Sequence, residues 1–280
     1  MALFLVIIIS LGWLISRAYG SPVILWIAVI FSVVQALISY YSGDKVALAV
    51  SGAKEIEKKD NVELWHIIEN LSITAGLPMP KVYIIEDQAP NAFATGRDPQ
   101  HASVAVTTGL LDRLGKQEVE GVIAHELSHV GNYDIRLMTI VVVLVGVIAL
   151  ISDLFIRFRI FGFGGRDDNN NQGQGIFFLI AIVAAILAPI AATLIQLAIS
   201  RKREFLADSS GVLLTRYPEG LASALEKISG YKKPMEKVSG ATSHLFITNP
   251  FGNKESYFSK IFSTHPPIEE RIRLLRGMDV

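Results

Sequence analysis

The sequence predicts an α+β, mostly helical fold: four membrane-spanning helices carrying a polar domain with a small sheet. Three observations predict it. Apolar residues make up 51% of the 280-residue chain and charged residues only 19%, below the usual quarter. The missing charge is concentrated in four runs. Between and after those runs lie polar blocks in which helical spacing outweighs strand alternation.

Residues 2–16, 22–43, 137–152 and 174–200 carry no charge. A bilayer span needs about 20 apolar residues, roughly 17 to 25. The second and fourth runs meet that outright. The first and third reach the interfaces with their flanking residues. Runs one and two form a hairpin, 1–43, through the turn Tyr19-Gly20-Ser21-Pro22. The absence of a basic leader before the first run favours a retained hairpin over a signal peptide. Runs three and four form a second hairpin, 137–200, joined by a Gly- and Asn-rich stretch. Such a stretch cannot bury enough surface to order itself, so 157–175 reads as a mobile loop.

Four spans leave residues 44–136 and 201–280 on one side, as two halves of one domain. Near the membrane that side carries Lys45, Lys54, Arg136, Arg201, Lys202 and Arg203; the other carries Arg17, Arg157, Arg159 and Arg166. The positive-inside rule then places the domain and both termini in the cytoplasm, on a multi-pass protein of the cell inner membrane. Other classes are excluded by composition. The 26 basic and 26 acidic residues balance, so nothing global favours a nucleic-acid partner. With no cysteine, disulfide frameworks, iron–sulfur sites and cysteine-ligated zinc are ruled out.

Within the polar blocks, Val62, Trp65, Ile68 and Leu71 recur at helical spacing over 61–75, and Pro78 stops the helix. Residues 81–86 read as a strand. Gln88-Ala89-Pro90-Asn91 reads as a turn. Residues 103–108 alternate small polar and apolar side chains, as an edge strand does. From Gln117 the pattern is helical through Tyr133. Residues 201–215 continue the fourth run as a helix. Pro218 opens a helix over 219–229 and Pro266-Pro267 opens one over 268–276, where a first turn tolerates proline. Residues 231–262 read as irregular.

The helix 117–133 contains His125-Glu126-Leu127-Ser128-His129. Histidines four apart lie one above the other on a helix face. That spacing lets both imidazoles reach one metal ion, with Glu126 beside them to handle a water proton. A catalytic zinc needs a third protein ligand and one open position. A third histidine on the same helix is ruled out, because Ile135 occupies that position. Glu204 and Asp208 are four apart just after the fourth run. Two carboxylates on one face suit one ligand and one partner that orients a histidine. Glu120 and Asp134 sit on the histidine helix, five before His125 and five after His129, off the shared face.

These motifs, with Asn91-Ala92-Phe93-Ala94-Thr95-Gly96 and with Ser263-Thr264-His265-Pro266-Pro267 ahead of Glu270-Arg271-Ile272, resemble the HtpX membrane zinc metalloproteases, relatives of the CAAX prenyl proteases. The likeness covers nearly the whole chain, including the order of two spans, half domain, two spans, half domain. It implies a zincin-like domain with one zinc held by His125, His129 and Glu204, Glu126 as general base, and Asp208 supporting the zinc site. It also implies peptidase action on misfolded or damaged membrane proteins in quality control. By the same similarity His265 is the expected oxyanion donor. The substrate strand is expected to add to a sheet edge, at Asn91–Gly96 (with Asn91, Ala92, Phe93 and Ala94 as contacts) or at 103–108. His66, His101 and His244 have no partner at ligand spacing and read as ordinary histidines. Asn249-Pro250-Phe251-Gly252 faintly resembles a motif of intramembrane proteases, but Phe251 stands where that motif has its ligand Asp. A transporter is disfavoured because the spans hold no ionisable residue. The remaining competitor is a non-catalytic membrane adaptor with a structural metal site.

Overall fold

The computed structural model describes residues 2–146, 200–237, 239–252 and 266–278. The fourth apolar run, the loop at 157–175 and His265 lie outside the described residues, as does the end of the third run.

The first run forms α1 (Ala2–Tyr19) and the second α2 (Pro22–Val50), with Pro22 in the first turn of the second helix. Proline suits that position because its missing N–H has no partner there anyway. Gly12 of α1 faces Ala28 of α2, and a Cβ on Gly12 would sit 2.3 Å from the Ala28 Cβ. The hairpin is therefore closely packed at small residues. Helix α2 runs past Gly43 to Val50, carrying Asp44 and Lys45 as helix residues. Among the described residues it is the one helix long and apolar enough to cross a membrane, with a mean hydropathy of 2.3 over its most apolar stretch.

The first half of the domain follows: β1 (Ala53–Glu55), α3 (Val62–Ala75), β2 (Lys81–Ile85), β3 (Ala92–Gly96), β4 (Ala102–Thr107), α4 (Thr108–Arg113) and α5 (Lys116–Gly131). Asn61 caps α3 by accepting from the Leu64 N–H, and Gly76 closes it in the left-handed region. The strands are ordered β1-β2-β4-β3. Strands β2 and β4 pair in parallel, and the other two pairs are antiparallel.

This order corrects the reading of 103–108 as an edge. Strand β4 is interior and buried along its whole length. Its small side chains fit because helices cover both faces. Val104 and Val106 face a core shared with α3 and α5, whereas Ala105 faces one shared with the end of α2 and with Phe93 and Phe246. The edge is β3.

Helix α5 ends at Gly131, and Tyr133 takes a left-handed φ of 60°. The chain turns by 85° into α6 (Asp134–Gly146). The second half contributes α7 (Arg201–Thr215), α8 (Pro218–Ser229) and α9 (Ile268–Arg276). Between α8 and α9 the described residues are irregular apart from a short turn at Ser243–Leu245. Helix α5 packs against α3, α7, α8 and β3 at once, which explains why nearly every residue from Val119 to Val130 is buried. Glu118 anchors its start. The carboxylate accepts from the Gly115 N–H at 2.7 Å and from Lys227 of α8 at 2.7 Å.

Candidate active site

Two other chain segments converge on α5. His125, Glu126 and His129 come from α5, Glu204 and Asp208 from α7, and Arg271 from α9, and all six are buried. Close approach of α7 is made possible by Gly211: a Cβ there would lie 3.0 Å from the His125 nitrogen. The helices meet backbone to backbone, which brings Glu204, seven residues earlier, against the histidine pair.

The two imidazoles stand edge to face, with ring centres 4.8 Å apart and their Nε2 atoms 3.3 Å apart. Glu204 lies 3.9 Å from the His125 Nε2 and 3.5 Å from the His129 Nε2. Ligand atoms of the three residues fall within 4.8 Å of one another, so one ion reaches all three. The far ring nitrogens are held by carboxylates: His125 Nδ1 by Asp208 at 2.9 Å and His129 Nδ1 by Asp134 at 3.1 Å. A carboxylate on Nδ1 keeps the proton there and turns the Nε2 lone pair toward a metal. Two nitrogen lone pairs and a carboxylate facing one point form a donor set that suits a divalent cation.

The electrostatics follow from burial. Burial pushes the Glu126 carboxyl above its usual range, against the pull of the two histidines. Burial would lower the His129 imidazole, but its bonds to Asp134 and Glu204 raise it to about 10, so a metal at this point takes the place of the Nε2 proton. Burial would raise Asp208, yet Arg271 and His125 outweigh it and hold the carboxyl at about 2. Arg271 forks onto both Asp208 oxygens, at 2.9 and 2.6 Å, and lies 3.6 Å from Glu204. A cluster of buried carboxylates needs such a countercharge.

Two residues at the site have roles that the sequence reading missed. Asp134 was set aside as off the histidine face, which holds for a straight helix. The left-handed Tyr133 breaks α5 and swings Asp134 back onto His129; Gly131-Asn132 was the available signal, since both residues end helices. Arg271 sat unremarked in a quoted motif. Its signal was a cation on the apolar face of an amphipathic helix, with Arg271 and Leu275 both buried four apart. His244 is a buried histidine bonded to the Met138 carbonyl, and His101 an exposed one paired with Asp98.

Strand β3 borders this cluster. The Ala94 backbone lies beside the Glu126 carboxylate and pulls its pKa down against burial. Asn91, just before the strand, spends its amide on the Thr248 backbone, and the Ala92 carbonyl accepts from the Ile247 N–H. Phe93 points to the other face of the sheet, against Phe246.

A buried His–His–Glu triangle with a glutamate at its side, on a helix packed under an edge strand, defines a metal-dependent hydrolase. The sequence pattern of peptidase family M48 matches residues 58–279. A protein named protease HtpX homolog from Tropheryma whipplei (strain Twist) is 51% identical over 268 residues, 95% of this chain and 89% of its own. One of the same name from Lactobacillus acidophilus is 49% identical over 288 residues, 99% of this chain and 95% of its own. The crystal structure of S. mikatae Ste24p shares the fold with a TM-score of 0.53 at 21% identity, over 96% of this chain but only 62% of that longer one. The chain belongs to peptidase family M48, which makes it a metalloprotease, and the resemblance read from its motifs stands.

Proposed function

We propose that this chain is a zinc endopeptidase of the cell inner membrane that cleaves misfolded or damaged membrane proteins from the cytoplasmic face. The observation that carries the reading is the convergence of His125, His129 and Glu204 on one point with Glu126 alongside. These three would hold the zinc. When bound, zinc lowers the pKa of a water to about 7 and polarises a carbonyl.

The rest of the chemistry belongs to the chain. Glu126, its carboxyl raised by burial, accepts a proton from the attacking water and passes it to the leaving amine. Asp208 and Asp134 keep the histidines in register. A peptide in extended form meets the edge of β3 at Ala94, between the ends that Ile247 and Thr139 occupy, where backbone pairing recognises a strand without reading its side chains. That tolerance fits substrates defined by being unfolded. His265 remains the proposed oxyanion donor, by its place in the Ser-Thr-His-Pro-Pro motif.

A closed structural metal site in a non-catalytic adaptor is the competing reading, and it requires a fourth protein ligand. Asp208 is the available one, and its oxygens are committed to Arg271 and His125. This supports the open, catalytic site. The test is cleavage of unfolded casein. Purified protein is expected to cut it, to stop when a chelator strips the metal, and to recover on adding zinc. Undiminished cleavage by the stripped protein would sink the zinc reading.

Four spans with the domain in the cytoplasm remain the proposed topology, supported by the apolar runs and the basic residues flanking them. Because the chain has no native cysteine, single cysteines introduced through 157–173 report cleanly. They are expected to react with an impermeant thiol reagent from the outer side of the membrane. Labelling only from the cytoplasmic side contradicts a second spanning hairpin.

A further inference from the structure

Helix α6, Asp134–Gly146, is apolar after its first turn, and its one hydroxyl belongs to Thr139. A threonine inside a helix ordinarily bonds the carbonyl four residues back. Thr139 instead reaches across to the end of β3. Its Oγ1 accepts from the Gly96 N–H at 3.0 Å, lies 2.8 Å from the Thr95 Oγ1, and donates to the Gly96 carbonyl at 3.2 Å. With the Thr95 hydroxyl as donor, two lone pairs and one proton are all used. Gly96 takes a φ of 147° and would drive a Cβ to 2.4 Å from the His101 carbonyl oxygen, so the end of the strand is itself specified by glycine.

Thr139 is also held from behind. A Cβ on Gly43 of α2 would lie 2.7 Å from the Thr139 Cγ2, and the Ser39 hydroxyl donates to the Ile140 carbonyl at 3.3 Å. The membrane helix α2, α6 and the edge strand therefore meet at one side chain. On β3 the Asn91 carbonyl accepts from the Thr107 N–H, so residues 92, 94 and 96 turn their backbone groups away from β4. Ala92 is tied to Ile247 and Gly96 to Thr139, and Ala94 between them lies beside Glu126.

We propose that Thr139 is a positioning residue for the peptidase reaction: by pinning Gly96 to the membrane helices it fixes strand β3, which packs on α5 beside Glu126, against the bound peptide. The inference rests on Glu126 being the base. Thr139→Val keeps the shape and removes the hydroxyl, while Thr139→Ser keeps the hydroxyl and removes the methyl. The assay uses the full-length, zinc-loaded protein in detergent with a fluorogenic peptide, and reads kcat, KM and zinc content.

Thr139→Val is expected to lower kcat by about 10- to 100-fold, as a misplaced group does, with KM and zinc content near wild type. Thr139→Ser is expected to keep most of kcat. An unimpaired Thr139→Val overturns the proposal, and so does a Thr139→Ser that falls as far. If Thr139→Val does not fold, Thr95→Val carries the test, because it removes one of the same bonds; an unchanged kcat there overturns the proposal as well. Wild type no faster than Glu126→Gln would instead sink the assignment of the base. Normal wild-type cleavage beside an unimpaired Thr139→Val sinks the role of Thr139 alone.

Discussion

Glu126→Gln is expected to lower kcat by about 10²- to 10⁴-fold, the usual contribution of a general base, while the protein keeps its metal. Glutamine has the same shape as the glutamate it replaces. What it cannot do is take a proton. Burial holds the Glu126 carboxyl above its ordinary range, and the variant removes that proton acceptor without creating a cavity. His125, His129 and Glu204 are untouched, so zinc content measured by metal analysis should match wild type. Loss of zinc together with activity would mean that Glu126 supports the metal rather than the proton transfer.

The second large effect concerns the carboxylates of α7. Glu204→Ala removes one of three proposed ligands and is expected to leave the purified protein with little zinc. Asp208→Ala is expected to weaken zinc by about 10- to 100-fold, the usual cost of losing a group that orients a ligand. The two variants should also differ in stability. Arg271 is fully buried and forks onto Asp208. Removing Asp208 strands that guanidinium, a change that destabilises by about 3–5 kcal/mol. Glu204 lies 3.6 Å from the same group and strands less charge when removed. Thermal unfolding beside metal analysis separates the two roles. Full zinc in both variants would show that the third ligand lies elsewhere.

The helices were legible because their signals are local. Over 268–276 the helix stands where the prolines predict it, 62–75 follows its apolar spacing, and 201–215 is helical as expected. The histidine pair was legible for the same reason, since a four-residue spacing needs no tertiary knowledge. The sheet order was not. A buried strand of small residues, Ser103-Val104-Ala105, has the same alternation as an edge strand, and only the helices above and below distinguish them.

Asp134 was missed because five residues along a straight helix point elsewhere, and a single left-handed residue, Tyr133, changes that. Arg271 was missed because its partner is 63 residues away in sequence and no spacing rule connects them. The part of the site carried on one helix could be read from the chain, whereas the parts assembled between helices needed the fold.

The central claim is that one zinc is held by two imidazoles and Glu204 with one position left open. X-ray absorption at the zinc edge of the purified wild-type protein tests it most directly. The expected spectrum shows one zinc per chain, with two nitrogen neighbours from imidazole and two oxygen neighbours at about 2.0–2.2 Å, one of the oxygens exchanging for an added hydroxamate. A zinc closed by four protein ligands and unmoved by hydroxamate, or the same spectrum from Glu204→Ala, would contradict it.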